Sequence, residues 1–344
     1  FAVILTLMPM RSEAADNASN SAPSTIRVST EGTYYENEAR EVLRLVNEER
    51  AAEGLEPLKM TVAQENLAKQ RAAELVGYYN HARPDGSSCF TAAGDFDIAW
   101  TAIGENIAVG QRSASAVMEA WMNSTGHRAN ILSADFSDIG IACFEYNGMK
   151  HWVQFFTRPY EDLQEAPATG SDQVDATVSY DFDTTFVDGS ALRFTEDEAN
   201  AEAGQSIELD IEVYAHVWYG GTQKIGTVDA FQFPADAVHI SGIDGVSFEN
   251  GKIVVDPQAA SGDIVIEVTV ANTQTIQKTI HVTGSVPAET ETETETETTV
   301  PPETETETEP VETETETTVP PETETETEPV ETETETTVPP ETET

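Results

Sequence analysis

The chain has 344 residues, with 63 acidic and 17 basic side chains and a formal charge of −46. That length holds two ordinary domains with chain left over, and so negative a protein repels nucleic-acid phosphates and anionic lipid surfaces, excluding both as default partners. The charge is uneven: from Glu289 onward there are 21 glutamates and no basic residue, which leaves 42 acids against 17 bases in the first 288 residues.

Residues 1–14 read as the back of a signal-peptide apolar core, with a small-residue cleavage site near Ser12-Glu13-Ala14, so the protein is expected to be exported. The opening without Met and the stop inside a repeat are read as cuts at both ends. No later run of about 18 apolar residues predicts a transmembrane segment. Residues 15–33, rich in Asn, Ser, Ala and Thr, read as a flexible leader.

A first domain is expected over 34–158. Ala39, Val42, Leu43 and Val46 mark an amphipathic helix over Glu36–Ala52, closed by Gly54. Thr61 with Gln64 forms a capping box, and Leu67, Ala68, Ala72, Leu75, Val76 and Tyr79 continue a second helical stripe that runs into His81. Ser113 caps a third helix bearing Val117, Met118 and Trp121. Then Ile139, Ile141 and Cys143 alternate with Gly140, Ala142 and Phe144, Asn147-Gly148 signals a hairpin, and residues 151–156 return as its partner strand. Helices around an antiparallel hairpin give an α+β layered domain.

Residues 159–173 read as a linker. From 174 to 284 the helical period disappears: Ser206–Tyr214, Asp263–Val270 and Thr279–Val282 alternate, and Asn250-Gly251 joins two further short strands. This predicts an all-β sandwich. Residues 285–344 repeat every 19 positions, with Val300, Val319 and Val338 each opening Val-Pro-Pro between Glu-Thr runs. So charged a segment lacks the apolar side chains for a core and is expected to be a disordered, extended spacer. The two cysteines, Cys89 and Cys143, predict one disulfide in an exported chain, the alternative being two buried thiols. Closing a loop of about 54 residues would restrict the unfolded chain by about 4 kcal/mol on the entropy model.

Three segments carry the chemistry: Asn80-His81-Ala-Arg83-Pro-Asp85-Gly86, Gly104-Glu105-Asn106-Ile-Ala, and Trp121-Met-Asn-Ser124-Thr-Gly-His127-Arg128-Ala-Asn130-Ile-Leu. Two imidazoles and a carboxylate meeting in a cleft can hold Zn²⁺ or shuttle protons. Together, and with Trp152-Val-Gln154 closing the domain, these segments resemble the bacterial branch of the CAP superfamily, which also holds cysteine-rich secretory, antigen-5 and pathogenesis-related-1 proteins. The resemblance spans about residues 36–158 and implies a three-layer α-β-α sandwich with an open cleft. It implies that His81, Glu105 and His127 converge there as candidate metal ligands, with Zn²⁺ as the candidate metal and Glu105 as the candidate catalytic residue. One departure matters: Ser124 stands where the eukaryotic branch has a second acid. Residues 242–253 resemble bacterial immunoglobulin-like modules, which makes the second domain a candidate immunoglobulin-like stalk.

Arg83 and Asp85 read as a pair locking a Pro-Asp-Gly turn, Arg128 and Asn130 as braces for the second histidine, and Trp121 and Trp152 as core. No Gly-x-Ser-x-Gly setting surrounds Ser124. The reading that follows is a secreted, cell-surface CAP module, attached to the cell wall through the acidic spacer. It would bind a small apolar ligand, a peptide or an envelope component without catalysis. The rivals are a metal-dependent hydrolase of peptide or envelope polymers and an adhesin working through the β-sandwich.

Overall fold

The computed structural model describes residues 22–285; the readings for 1–14 and from 286 onward lie outside the described residues. The helical half comprises β1 (Thr25–Tyr34), α1 (Glu36–Ala52), β2 (Lys59–Met60), α2 (Val62–Gly77), α3 (Ala92–Asp95), β3 (Trp100–Val109), α4 (Ala114–Asn123), α5 (Thr125–Ile131), β4 (Asp138–Tyr146) and β5 (Met149–Pro159). Strands alone make up the second half, apart from short 3-10 turns: β6 (Val174–Asp183), β7 (Ala191–Phe194), β8 (Glu198–Glu202), β9 (Ser206–Glu208), β10 (Ile211–Val217), β11 (Gly221–Val228), β12 (Val238–Gly242), β13 (Val246–Glu249), β14 (Lys252–Val255), β15 (Gly262–Val268) and β16 (Ile276–Thr283).

The local signals act as read. Helix α1 buries Ala39, Val42 and Val46 and ends where Gly54 turns to φ +71°, with Leu55 N–H bonded to the Arg50 carbonyl at 2.9 Å. Thr61 and Ser113 accept the Gln64 and Ala116 N–H groups that open α2 and α4. Asn147 and Gly148 both take positive φ, +48° and +74°, the geometry a two-residue hairpin needs. Helix α2 stops sooner than its stripe. Tyr78 is already extended, so His81 sits beyond the helix in a loop, not on its last turn.

Sheet order is β3-β5-β4-β1-β11-β10-β7, with β2 parallel to β4 and β6 paired to β1. On one face, Leu67, Ala68, Ala72, Leu75 and Val76 of α2 pack on Ala142, Phe144, Val153 and Phe155. On the other, α1 and α4 cover Ile139, Ile141, Cys143, Trp152 and Phe156. The helical half is therefore layered helix, sheet, helix, as α+β patterning requires. Contact with α2 is closest at Gly140, where a Cβ would fall 2.0 Å from the Gln64 carbonyl oxygen.

Four expectations are corrected. Residues 25–33 are not a flexible leader: as β1 they pair with β6 over ten positions, from Thr25↔Asp183 to Tyr34↔Val174. The stretch 159–173 is not free either, since Ala166 N–H bonds Met60 O at 2.9 Å and Asn37 N–H bonds Ser171 O at 3.1 Å. Ser206–Tyr214 is two strands, β9 pairing with β14 and β10 with β7 and β11. Alternation survives the break because Ile207, Leu209, Ile211 and Val213 all face one shared core. Finally, Cys89 and Cys143 are both free and buried. Cys143 points to the α1/α4 face and Cys89 belongs to the α2 side, so the sheet stands between the two thiols.

His151 on β5 is fully buried opposite Phe144, its ring 5.9 Å from that of Tyr219. Neither ring nitrogen has a hydrogen-bond partner of standard geometry. Burial pushes it down to about 4 from 6.5, only partly offset by the Phe144 and Met149 backbones. The unfolded chain therefore takes up a proton below pH 6.5 while the folded one refuses it until about 4, so stability falls across that window. His151→Phe should remove up to about 3 kcal/mol of that acid-side loss, read by urea unfolding at pH 7 and pH 4. Gly140→Ala should destabilise by about 3 kcal/mol or more in the same assay, because α2 must back off the sheet.

Candidate functional site

His81 lies in a closed loop built by its own backbone. Its carbonyl accepts the Cys89 N–H at 2.9 Å, and Arg83 N–H bonds Ser87 O at 2.7 Å. Gly86 supplies the φ of +84° the turn needs, and Asp85 accepts the Ser87 N–H and hydroxyl. Asp85 thus locks the turn without Arg83, whose guanidinium instead binds Glu74 at 2.7 Å and Asp95 at 2.8 Å. The strand-rich half grips the same loop: Asp183 N–H donates to Pro84 O at 3.0 Å, Phe186 meets Tyr78 edge-on at 5.2 Å, and Trp218 lies 5.5 Å from Tyr79.

Glu105 rises from β3 and is buried. Arg71 Nε donates to its Oε1 at 2.8 Å, a longer bond from Nη2 reaches Oε2 at 3.4 Å, and His81 Nδ1 meets Oε2 at 2.8 Å. Arg71 also binds Glu74 at 2.7 Å, so α2 and the His81 loop are joined by a buried network of alternating charge. Burial alone would raise Glu105, but the Arg71 charge and the hydrogen bonds from His81 and Arg71 outweigh it and hold the carboxyl below its usual value. More than half of the His81 side chain, 56%, remains exposed.

Sequence reading placed His81 and Glu105 together, and the structure does so. The group whose candidate ligand atoms all lie within 4.8 Å of one another, among the described residues, is His81, Cys89 and Glu105; His127 is outside it. His127 sits on α5 against the outer edge of β3, where Asn106 Nδ2 donates to its carbonyl at 3.1 Å. Asn130 donates to Glu105 O and Asn106 Oδ1, at 3.3 and 2.8 Å, and so braces the histidine segment as read. Among the described residues the Arg128 side chain makes an exposed pair with Glu53, and Trp121 and Trp152 are core. The group of candidate ligands differs from the triad read from the sequence in holding Cys89 where that triad has His127. Arg71 and Glu74 were missed, although the signal was present: Arg71 occupies an apolar phase of the α2 stripe, four after Leu67 and four before Leu75.

An α+β domain with helices on both sheet faces and a His–Glu pair at its rim is the class these features define. Residues 43–156 match the model of the CAP family, the cysteine-rich secretory protein family, and a CAP domain occupies that segment. The chain is 37% identical over 142 residues to the uncharacterized protein YkwD of Bacillus subtilis (strain 168), which covers 41% of this chain and 51% of that one. The chain thus spans about half the length of the curated relative it matches. Among solved structures it is similar to an extracellular SCP-domain protein from Bacillus anthracis, with 24% identity, TM-score 0.34, and 36% and 41% of the two chains covered. Another is an outer surface protein of Borrelia burgdorferi, with 21% identity, TM-score 0.34, and 36% and 92% covered. No helix of the described residues is long and apolar enough to cross a membrane.

Replacing Arg71 by Met should leave buried Glu105 with His81 alone and buried Glu74 with Arg83 alone, and destabilise by about 3 kcal/mol at neutral pH. Arg128→Ala, which breaks an exposed pair, should change stability by less than about 1 kcal/mol. The Glu105 contribution is present above the ordinary glutamate value and fades as pH falls through the depressed one. Denaturant titrations of both variants from pH 7 to pH 3 check the ranking.

Proposed function

We propose that this protein is an exported, surface-displayed CAP module that works by binding and not by turnover. The observation that carries the reading is the state of Glu105. It is the buried carboxylate beside His81, and Arg71 holds it ionised in a two-point bond. A carboxylate kept below its usual pKa is a weak proton acceptor, whereas a general base works best with a pKa near the operating pH. The nearby thiol offers no nucleophile either: burial first, then the Glu105 charge, push Cys89 up to about 12.

What the module binds is chosen by surfaces of two kinds. The His81 rim is polar and half exposed, with the indole of Trp218 standing 69% exposed beside Tyr79, and suits a peptide or an envelope polymer. On the α1 side, a groove of about 620 Å³ is lined by Leu43, Leu58, Met60, Ala166 and Pro167 and suits a small apolar ligand. Export rests on the apolar segment at residues 1–14, read as part of a signal peptide, and surface display on the charged repeat that follows residue 285.

Incubating the full chain with purified cell-wall polymer distinguishes binding from hydrolysis. The protein is expected to cosediment with the polymer while mass spectrometry finds no soluble fragments above background. Fragment release that disappears in Glu105→Gln would make the protein a hydrolase and overturn the reading.

A further inference from the structure

We propose that the rim beside His81 is a stacking platform for an uncharged glycan of β-linked hexopyranose units, with Trp218 as its principal contact. This deepens the binding-module reading and rests on it. The large apolar side chains exposed among the described residues are Phe90, Tyr160, Phe186, Trp218 and Phe231. Three of them gather on the stretch from Tyr78 to Phe90. Phe90 closes it, Phe186 meets Tyr78 edge-on, and Trp218 leans on Tyr79 with ring centroids 5.5 Å apart and planes inclined at 48°. Apolar surface left open beside polar groups in this way marks an interaction site.

The turn between β10 and β11 sets Trp218 in place. Val217 before it is buried, and Tyr219 after it packs its ring 5.9 Å from that of buried His151. The indole between these two anchors stands 69% exposed. Tyr79 beneath it is itself partly buried against the core. The indole thus offers an open ring face on a fixed base, which lowers the ordering cost of binding. Trp218 lies outside the CAP domain, so the platform is supplied by the strand-rich half of this chain.

The chemistry of the surface selects its occupant. The face of an aromatic ring is electron-rich and attracts polarised C–H bonds. A β-linked pyranose presents such bonds on its flat faces and hydroxyls around its edge. His81 supplies the polar partner: Nδ1 is bound to ionised Glu105, which leaves Nε2 to meet a hydroxyl. An extended peptide would seek a strand edge, yet the β3 carbonyls of Glu105 and Ile107 are already taken by the Asn130 and Trp121 side chains. A polyanionic polymer is repelled by a chain of formal charge −46. A neutral glycan meets neither obstacle.

The test is calorimetric titration of the full chain with cellohexaose and with the hexamer of β-linked N-acetylglucosamine, which separates hexose from N-acetylhexosamine sources. Wild type should bind at least one of them with a blue shift in tryptophan emission, since Trp121 and Trp152 are already buried. Trp218→Ala should weaken binding at least tenfold with its circular dichroism unchanged, and Trp218→Phe should recover most of the loss. His81→Ala should weaken binding by a smaller factor. Tyr160→Ala, which removes an equally exposed aromatic just past β5, should bind as wild type does. A folded wild type that binds neither hexamer overturns the proposal, as does Trp218→Ala binding as tightly as wild type. Cosedimentation with cell-wall polymer keeps the two readings apart. Polymer binding without hexamer binding, or polymer binding displaced by free wall peptides alone, leaves the binding module standing and removes the glycan platform.

Discussion

One strand holds this molecule together. Along one edge β1 pairs with β6 for its whole length, and along the other it meets β11 and then β4. Because a strand interior has unpaired donors and acceptors on both sides, each buried edge must find a partner. Here those partners come from opposite halves of the chain. Thr30, buried in mid-strand, bonds the Tyr180 hydroxyl and the Ile225 carbonyl, so side chains tie the same join. The consequence is a single apolar cluster running from α2 through Tyr180 and Ile225 to Ile280. The strand-rich half is a structural wall of the helical one and not a detachable stalk.

That join reaches the functional rim. Phe186, Trp218 and the Asp183 N–H all come from the strand-rich half and all touch residues 78–86. A loop carrying a half-exposed histidine would otherwise be held by its own turn and by its ion pairs to Glu74, Asp95 and Glu105. Clamped from behind, it presents His81 to solvent at a fixed distance from Glu105. The rim is therefore a joint product of both halves, although its chemical groups all lie in the first.

Inside the rim, electrostatics does the positioning. Arg71 and Glu74 are buried with Glu105, and each charge has an opposite neighbour within hydrogen-bond reach. Removing ions from water is costly, and only mutual pairing offsets the desolvation. The cluster therefore favours one geometry of the His81 loop over others, since a displacement takes Arg83 from buried Glu74 and His81 from buried Glu105. Glu105 is ionised, oriented and poorly basic chiefly through its bond to Arg71, with the His81 hydrogen bond adding to the effect.

Helices α1, α2 and α4, the two Asn-Gly hairpins, the Thr61 and Ser113 caps and the alternation of β4, β10, β15 and β16 were legible, because each depends on neighbours a few residues away. So was the pairing of His81 with Glu105, through family resemblance. Cys89 was read as a bridge partner for Cys143, since spacing says nothing about which face of a sheet a thiol takes. Arg71 was overlooked because a stripe is scored by its apolar members, and an arginine in phase with them looks like an interruption. The leader became β1 for the same kind of reason: Thr25–Tyr34 alternates, but only strands more than a hundred residues away give that alternation something to pair with. Sequence alone determined what can be decided locally: periodicity, caps, turns and charge, with the His81–Glu105 pair given by family resemblance. Tertiary structure alone decided what depends on distant surfaces meeting: the fusion of the two halves, the separation of the thiols, and the buried arginine that sets the character of Glu105.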